Sequence, residues 1–86
     1  MYFLYILLCS DNSLYTGITN DLDKRMKTHS EGKGSKYVRA HSPFKLIYKE
    51  KLKTRSEALK REAEIKGLSR AEKIGTLKLN ISYAIK

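Results

Sequence analysis

The chain has no tryptophan, one proline and one cysteine among its 86 residues. A lone thiol excludes an internal disulfide framework and a multi-thiolate zinc site. It fits a reducing compartment, so a cytoplasmic location is expected. Long apolar stretches are missing too: the longest, Met1 to Cys9, has nine residues, far short of the roughly 20 that a spanning helix needs. No basic region precedes that run and no small-residue cleavage site follows it, so it does not read as a secretory signal. Internal repeats, low-complexity tracts and linkers long enough to divide the chain are absent as well. Acidic residues are scarce, nine against eighteen lysines and arginines, for a net charge of +9.

What is present reads as globular, with 41% hydrophobic and 31% charged residues. One domain over residues 1–86 is expected, burying about 60% of its unfolded surface around a thin core. The charge is uneven: residues 1–43 carry six bases and four acids, residues 44–86 twelve bases and five acids. Such a surplus attracts polyanions, because each phosphate contact releases condensed counterions. Nucleic acid is the expected partner, with plain solubility as the alternative. No stretch joins a basic face to a continuous apolar face, so a membrane partner is not expected.

Two strand-like runs, 2–8 and 14–19, flank the cluster Ser10-Asp11-Asn12-Ser13 and predict a β-hairpin. Asn20 is the expected N-cap of a helix over 21–30, which Gly32 can end. One or two helical turns follow around 35–39. A third strand spans 44–52, with Phe44, Leu46 and Tyr48 expected on one face and Pro43 at its entry. Thr54-Arg55-Ser56-Glu57 and Ser69-Arg70-Ala71-Glu72 are capping boxes that open two helices, the first over 55–66 with Gly67 as its left-handed stop. The expected fold is a small α/β domain of order β-β-α-(α)-β-α-α, with a three-stranded, mostly antiparallel sheet.

Polar residues on faces that should be buried are the informative ones. In the 55–66 helix the apolar stripe is Ala58, Leu59, Ile65 and Leu68, and Glu62 falls inside it, whereas Glu64 faces the basic, solvated side. A carboxylate there needs a cation, a hydrogen-bond partner or a cleft, and a structural ion pair would serve. In the first helix Leu22, Arg25, Met26 and His29 share one face, which either packs or rims an anion site. Tyr5 and Tyr15 can be ordinary strand aromatics. They share a face only if an odd-length loop or a bulge separates them. Gly17 marks either a bulge or a close approach. His41 has no ligand-like spacing to His29, and Cys9 reads as a small strand hydrophobe.

Taken together, these positions resemble the GIY-YIG nuclease superfamily, in its small stand-alone bacterial branch, the UPF0213 type. The first motif falls on Phe3-Leu4-Tyr5, which keeps only its tyrosine, and the second on Tyr15-Thr16-Gly17, with Thr for Ile. Arg25 follows ten residues after the second tyrosine, then His29. Glu62 matches the metal-binding glutamate, and Gly32-Lys33-Gly34-Ser35-Lys36-Tyr37 is similar to a stretch of that branch. The resemblance covers about 2–75 and leaves a tail, 76–86. The first namesake glycine is absent, and Asn80 lies too far along to match the asparagine some members carry.

The resemblance implies a metal-dependent phosphodiesterase acting on DNA strands, with one ion, Mg²⁺ or Mn²⁺, on Glu62. It implies catalytic roles for Tyr5, Tyr15, Arg25, His29 and Glu62. Arg25 would clamp phosphate oxygens, and Tyr5 would take the proton of the attacking water, oriented by Tyr15 and His29. Gly17, Thr16, Lys33 and Lys36 are the expected substrate-binding positions. The alternative is a module that binds nucleic acid without cutting it, for a partner protein that carries the chemistry; a monomer is expected in either case.

Overall fold

The computed structural model describes residues 1–33, 36–40 and 43–77. The readings on His41, on Asn80 and on the tail beyond 77 lie outside the described residues. Three strands, β1 (Tyr2–Cys9), β2 (Leu14–Thr19) and β3 (Phe44–Leu52), and four helices, α1 (Leu22–Ser30), α2 (Lys36–Ala40), α3 (Arg55–Lys66) and α4 (Arg70–Leu77), occur in the expected order. The sheet runs β2-β1-β3 with both pairs antiparallel.

The hairpin reverses over Ser10-Asp11-Asn12. Cys9 N–H donates to Ser13 O and Asn12 N–H to Cys9 O, each at 2.9 Å. Asn12 takes the left-handed conformation (φ 69°), which asparagine tolerates. Asp11 Oδ1 fastens the turn by accepting from Ser13 N–H at 3.0 Å and from Ser13 Oγ–H at 2.5 Å. The odd-length loop decides the register: Tyr5 pairs with Gly17 and Leu7 with Tyr15. The tyrosines therefore share a face, with no bulge between β1 and β2.

The expected alternation in β3 fails at one point. A register shift opposite Ile6 and Leu7 pairs Ile6 with Tyr48 but Leu7 with Leu46, leaving Ile47 as the extra residue. Phe44 and Leu46 consequently lie on the tyrosine face, and Tyr48, Glu50 and Leu52 on the other. Each face then has its own cluster. Leu4, Ile6 and Ile65 form an aliphatic one, joined by Leu14, Ile18, Ile47, Leu52 and the α4 residues Ile74 and Leu77. Tyr5, Leu7 and Val38 form the second, joined by Tyr15, Leu22, Met26 and Phe44. Among the described residues no helix is long and apolar enough to cross a membrane.

The helix boundaries follow their caps, with three corrections. Asp21, not Asn20, caps α1: its side chain accepts from Lys24 N–H at 3.1 Å, and Thr19 Oγ1 in turn accepts from Asp21 N–H at 3.1 Å. Gly67 closes α3 in the right-handed region (φ −77°), so no left-handed stop is used there; the left-handed glycine is Gly32 (φ 77°) after α1. Leu59 leaves the α3 stripe and is 41% exposed. At about 100° per residue it sits a quarter-turn from buried Ala58, whereas Glu62 sits only roughly 40° away. The second capping box forms in full, while in the first Glu57 Oε1 accepts from Lys53 N–H at 3.2 Å instead of from the N-cap. Thr54 Oγ1 accepts from Glu57 N–H at 3.1 Å, and Ser69 and Glu72 exchange bonds of 2.8 and 3.2 Å.

Candidate active site

The site begins with a glycine. Tyr5 is buried (1% exposed), and its ring leans across β2 directly over Gly17. A Cβ at position 17 would lie 2.6 Å from Tyr5 Oη and 2.7 Å from Cζ, inside any permitted contact. The close approach that Gly17 permits is therefore made by the protein's own tyrosine. The phenol is delivered to the free edge of the sheet, because β2 is the edge strand.

Helix α1 completes the tyrosine face. Leu22 and Met26 pack on the cluster around Tyr5 and Leu7, which turns His29 inward and leaves it 2% exposed. His29 Nε2 lies 3.0 Å from Tyr5 Oη. Its ring meets three others edge-on, with centroids 5.8 Å from Tyr5, 5.9 Å from Tyr15 and 5.9 Å from Phe44. Tyr15 is 6.4 Å from Tyr5 and stacks on Tyr37 of α2 at 5.9 Å and 21°. Four of the five expected catalytic side chains thus meet at one place: Tyr5, Tyr15, His29 and, one turn before His29, half-buried Arg25.

Glu62 reaches the site from the opposite side of the sheet. Helix α3 lies over the aliphatic face, with Ala58 and Ile65 at its seam. Arg61 and Glu62 flank that seam, one toward each edge. Arg61 Nε donates to Glu50 Oε2 at 2.9 Å on β3, and Tyr48 O–H donates to Glu50 Oε1 at 2.6 Å. Glu62 lies on the β2 flank, half-buried, and Lys66 Nζ stands 3.4 Å from its Oε2. Among the described residues its ion-pair partner is therefore this lysine on its own helix. Glu62 is nonetheless near enough to act on Tyr5.

Charges around the phenol define its state. Burial foremost, then Tyr15 and Glu62, push Tyr5 up to about 12, while the Arg25 cation pulls the other way. Burial, with the Arg25 charge behind it, lowers His29 below its usual 6.5, so the imidazole is neutral at pH 7. A neutral ring can accept the Tyr5 proton at Nε2, which leaves Nδ1 as the protonated nitrogen. Nδ1 is buried and has no hydrogen-bond partner among the described residues.

The remaining expected positions separate. Lys33 lines a polar groove of about 300 Å³ with Thr19, Asn20, Asp21, Lys24, Arg25 and Thr28. Lys36 is exposed at the start of α2. Thr16 is buried on the face away from the tyrosines, and its hydroxyl finds no partner. A wider, mainly apolar hollow of about 760 Å³ beside Met26, Pro43 and Phe44 contains none of the catalytic candidates. Sequence reasoning passed over three neighbours of the site: Tyr37, Phe44 and Lys66. Only Tyr37 carried a signal, as an aromatic beside a lysine in the quoted 32–37 stretch.

The residues present suit a hard, largely hydrated divalent cation. One half-buried carboxylate, already facing an ammonium group, offers oxygen and negative charge. Among the described residues no three His, Cys, Asp or Glu side chains converge as a closed zinc site would require.

Known proteins share much of this sequence and its fold. The model of the GIY-YIG catalytic domain matches residues 1–75. A UPF0213 protein of Bacillus velezensis is 54% identical over 72 residues, covering 84% of this chain and 73% of its own. A UPF0213 protein of Staphylococcus aureus is 47% identical over 77 residues, covering 90% of this chain and 94% of its own. Among solved structures, a UPF0213 protein from Bacillus halodurans superposes with TM-score 0.58 at 42% identity, covering 98% of this chain and 92% of that one. A protein from E. faecalis gives TM-score 0.65 at 43% identity, with coverage of 90% and 82%. The meeting of Tyr5, Tyr15, Arg25 and His29 beside Glu62 is thus carried on a shared fold, and the chain belongs to the GIY-YIG catalytic-domain family, within its UPF0213 branch.

Proposed function

We propose that this protein hydrolyses phosphodiester bonds of DNA, with one divalent cation, Mg²⁺ or Mn²⁺, held by Glu62. The observation that carries the reading is the 3.0 Å contact of Tyr5 Oη with a buried, neutral His29, with the Arg25 cation and the Glu62 carboxylate both near enough to act on Tyr5. When bound, the cation would stabilise the leaving oxygen and the charge developing on phosphorus. The chain's own residues do the rest. Arg25 binds the non-bridging oxygens through its planar donor fork. A phenol pushed up to about 12 holds its proton at pH 7, so Tyr5 takes the proton of the attacking water only as it passes its own to His29 Nε2. Tyr15 packs against both rings and fixes their geometry.

The test is incubation with labelled DNA structures (nicked, branched, single-stranded and duplex), with and without Mg²⁺ or Mn²⁺. Metal-dependent cleavage is expected. Glu62→Gln keeps the size and removes the charge, so it should reduce cleavage to background while leaving DNA affinity and thermal midpoint nearly unchanged. Full activity in that variant would sink the mechanism. Binding by the unaltered protein with no cleavage under any metal would favour the module that acts through a partner protein.

A further inference from the structure

A second hollow, of about 340 Å³, opens at the free edge of β2, where elements from both sheet faces meet. Leu14, Tyr15 and Thr16 form its floor, Tyr37 of α2 stands on one side, and Lys66 of α3 and Lys73 of α4 on the other. Its two ends differ in chemistry. At one, the Tyr37 ring is stacked on Tyr15 and is 39% exposed. At the other, two lysines from different helices line the same hollow. Burial, and next the Lys66 charge, lower Lys73 from its ordinary range. Tyr15 links hollow and site, since its ring also contacts Tyr5 and His29.

An aromatic surface at one end and a pair of cations at the other match the two ends of a nucleotide: base–aromatic stacking contributes about 1–3 kcal/mol, and a phosphate takes the charge. We propose that this hollow seats the nucleotide adjoining the cleaved phosphate, its base against Tyr37 and its own phosphate between Lys66 and Lys73. This deepens the nuclease reading, because the hollow shares Tyr15 with the catalytic cluster. It also assigns a specific place to two of the eighteen positive side chains. Lys51, on the sheet's other edge strand, is outside it.

The experiment measures binding of short fluorescein-labelled DNA by anisotropy in EDTA, across a salt series, for variants whose thermal midpoints match the parent. Lys73→Met should lower the slope of log K against log salt by just under one, the signature of one lost phosphate contact. Lys51→Met removes the same charge elsewhere and should change the slope less. Tyr37→Leu should weaken binding about 5- to 100-fold, and Tyr37→Phe should retain parental affinity. One abasic position in the DNA should weaken the parent by the same factor and leave Tyr37→Leu unaffected. Equal slopes for Lys73→Met and Lys51→Met, or parental affinity for Tyr37→Leu, would overturn the subsite. Because no cleavage is read, a protein that binds in this way yet cuts nothing would keep the subsite and lose the nuclease reading. Cleavage with no effect of Tyr37 or Lys73 would do the reverse.

Discussion

The two faces of the sheet are built from the same three strands and use them for different ends. One face is aliphatic: Leu4 and Ile6 meet Ile65 under α3, with no titratable group in the buried cluster. The other buries Tyr5, His29 and Val38 under α1 and α2, and keeps hydroxyl and imidazole in contact. Apolar burial contributes about 25 cal/mol per Å² with no directional demand, so the first face can supply stability. The second must meet hydrogen-bond and steric conditions at each position, and it leaves one imidazole nitrogen unpaired among the described residues. The two faces are separated by the thickness of one sheet, and at the edge of β2 Lys66 and Lys73 of α3 and α4 meet Tyr15 and Tyr37 from the other side.

The largest effect expected from this division is on the aliphatic face. Ile65 is fully buried against Leu4 and Ile6. Ile65→Ala should cost about 2–5 kcal/mol, from lost transfer energy plus the cavity left behind. Urea unfolding followed by far-UV circular dichroism measures this. In buffer, where the fold still predominates, the cleavage rate per folded molecule should stay within about twofold. A selective loss of catalysis with little loss of stability would break the comparison.

Gly17→Ala should show the opposite ratio. The added methyl would overlap Tyr5 at Oη and Cζ, and the phenol must tilt away from His29 to relieve it. Overpacking of this kind costs about 1–3 kcal/mol, less than the cavity at Ile65. Cleavage should nevertheless fall about 100-fold, because the proton acceptor has moved while the aliphatic face is untouched. The tyrosine and histidine NMR resonances should shift together. An unshifted His29 with full activity would refute the role given to this glycine.

The pH dependence sharpens the same contrast through two groups in contact on the tyrosine face. His29 is lowered from 6.5 by burial and Arg25, so the stability tied to its neutral form is present above about 6.5 and is lost as pH falls through the lowered value. Tyr5 is raised from 10.0 to about 12, so its contribution is present below about 10 and is lost as pH rises toward 12. Thermal midpoints should therefore form a plateau between these limits and decline on both sides. Tyr5→Phe should remove the part of the alkaline decline that Cys9 and Tyr48, also raised by burial, do not carry, and His29→Gln should remove most of the acidic one. A decline unchanged by either substitution would place the responsible groups elsewhere.

The degree to which this architecture is legible in the sequence differs between the faces as well. The shared face of Tyr5 and Tyr15 follows from an odd-length loop and the two-residue period of a strand. The grouping of Arg25 with His29 follows from helical spacing. The bulge at Ile47 could not be read, because either registry of Phe44–Leu52 presents apolar residues to β1 and only the facing cores decide between them. Leu59 misled for a related reason: Ala58 and Leu59 are adjacent apolar residues, and the narrow α3 seam admits only one. The Glu50–Arg61 pair escaped notice because its members are eleven residues apart and belong to different elements. Tyr37 reaches the site through a tertiary contact that no spacing encodes.

The smallest expected effect lies on α3, where neighbouring residues carry ion pairs of different kinds. Arg61 is fixed by both Glu50 oxygens, at 3.2 and 2.9 Å, and Tyr48 bonds the same carboxylate. Glu62 faces Lys66 at 3.4 Å, with the lysine side chain 57% exposed. A loose i, i+4 pair contributes roughly 0.3–0.5 kcal/mol and is screened by salt. Lys66→Met should therefore change stability by less than about 0.5 kcal/mol. Arg61→Met breaks a half-buried, three-member network and should cost about 1–3 kcal/mol, since it leaves the Glu50 charge with the Tyr48 hydroxyl alone. Urea midpoints at low and high salt compare the two. The weakness of the Lys66 pair leaves the Glu62 carboxylate available to a stronger cation, so Lys66→Met should also raise Mn²⁺ affinity in calorimetry by a fewfold. A loss of more than about 1 kcal/mol on removing Lys66 would mean that the pair is structural, and would return Glu62 to the stabilising side of the sheet.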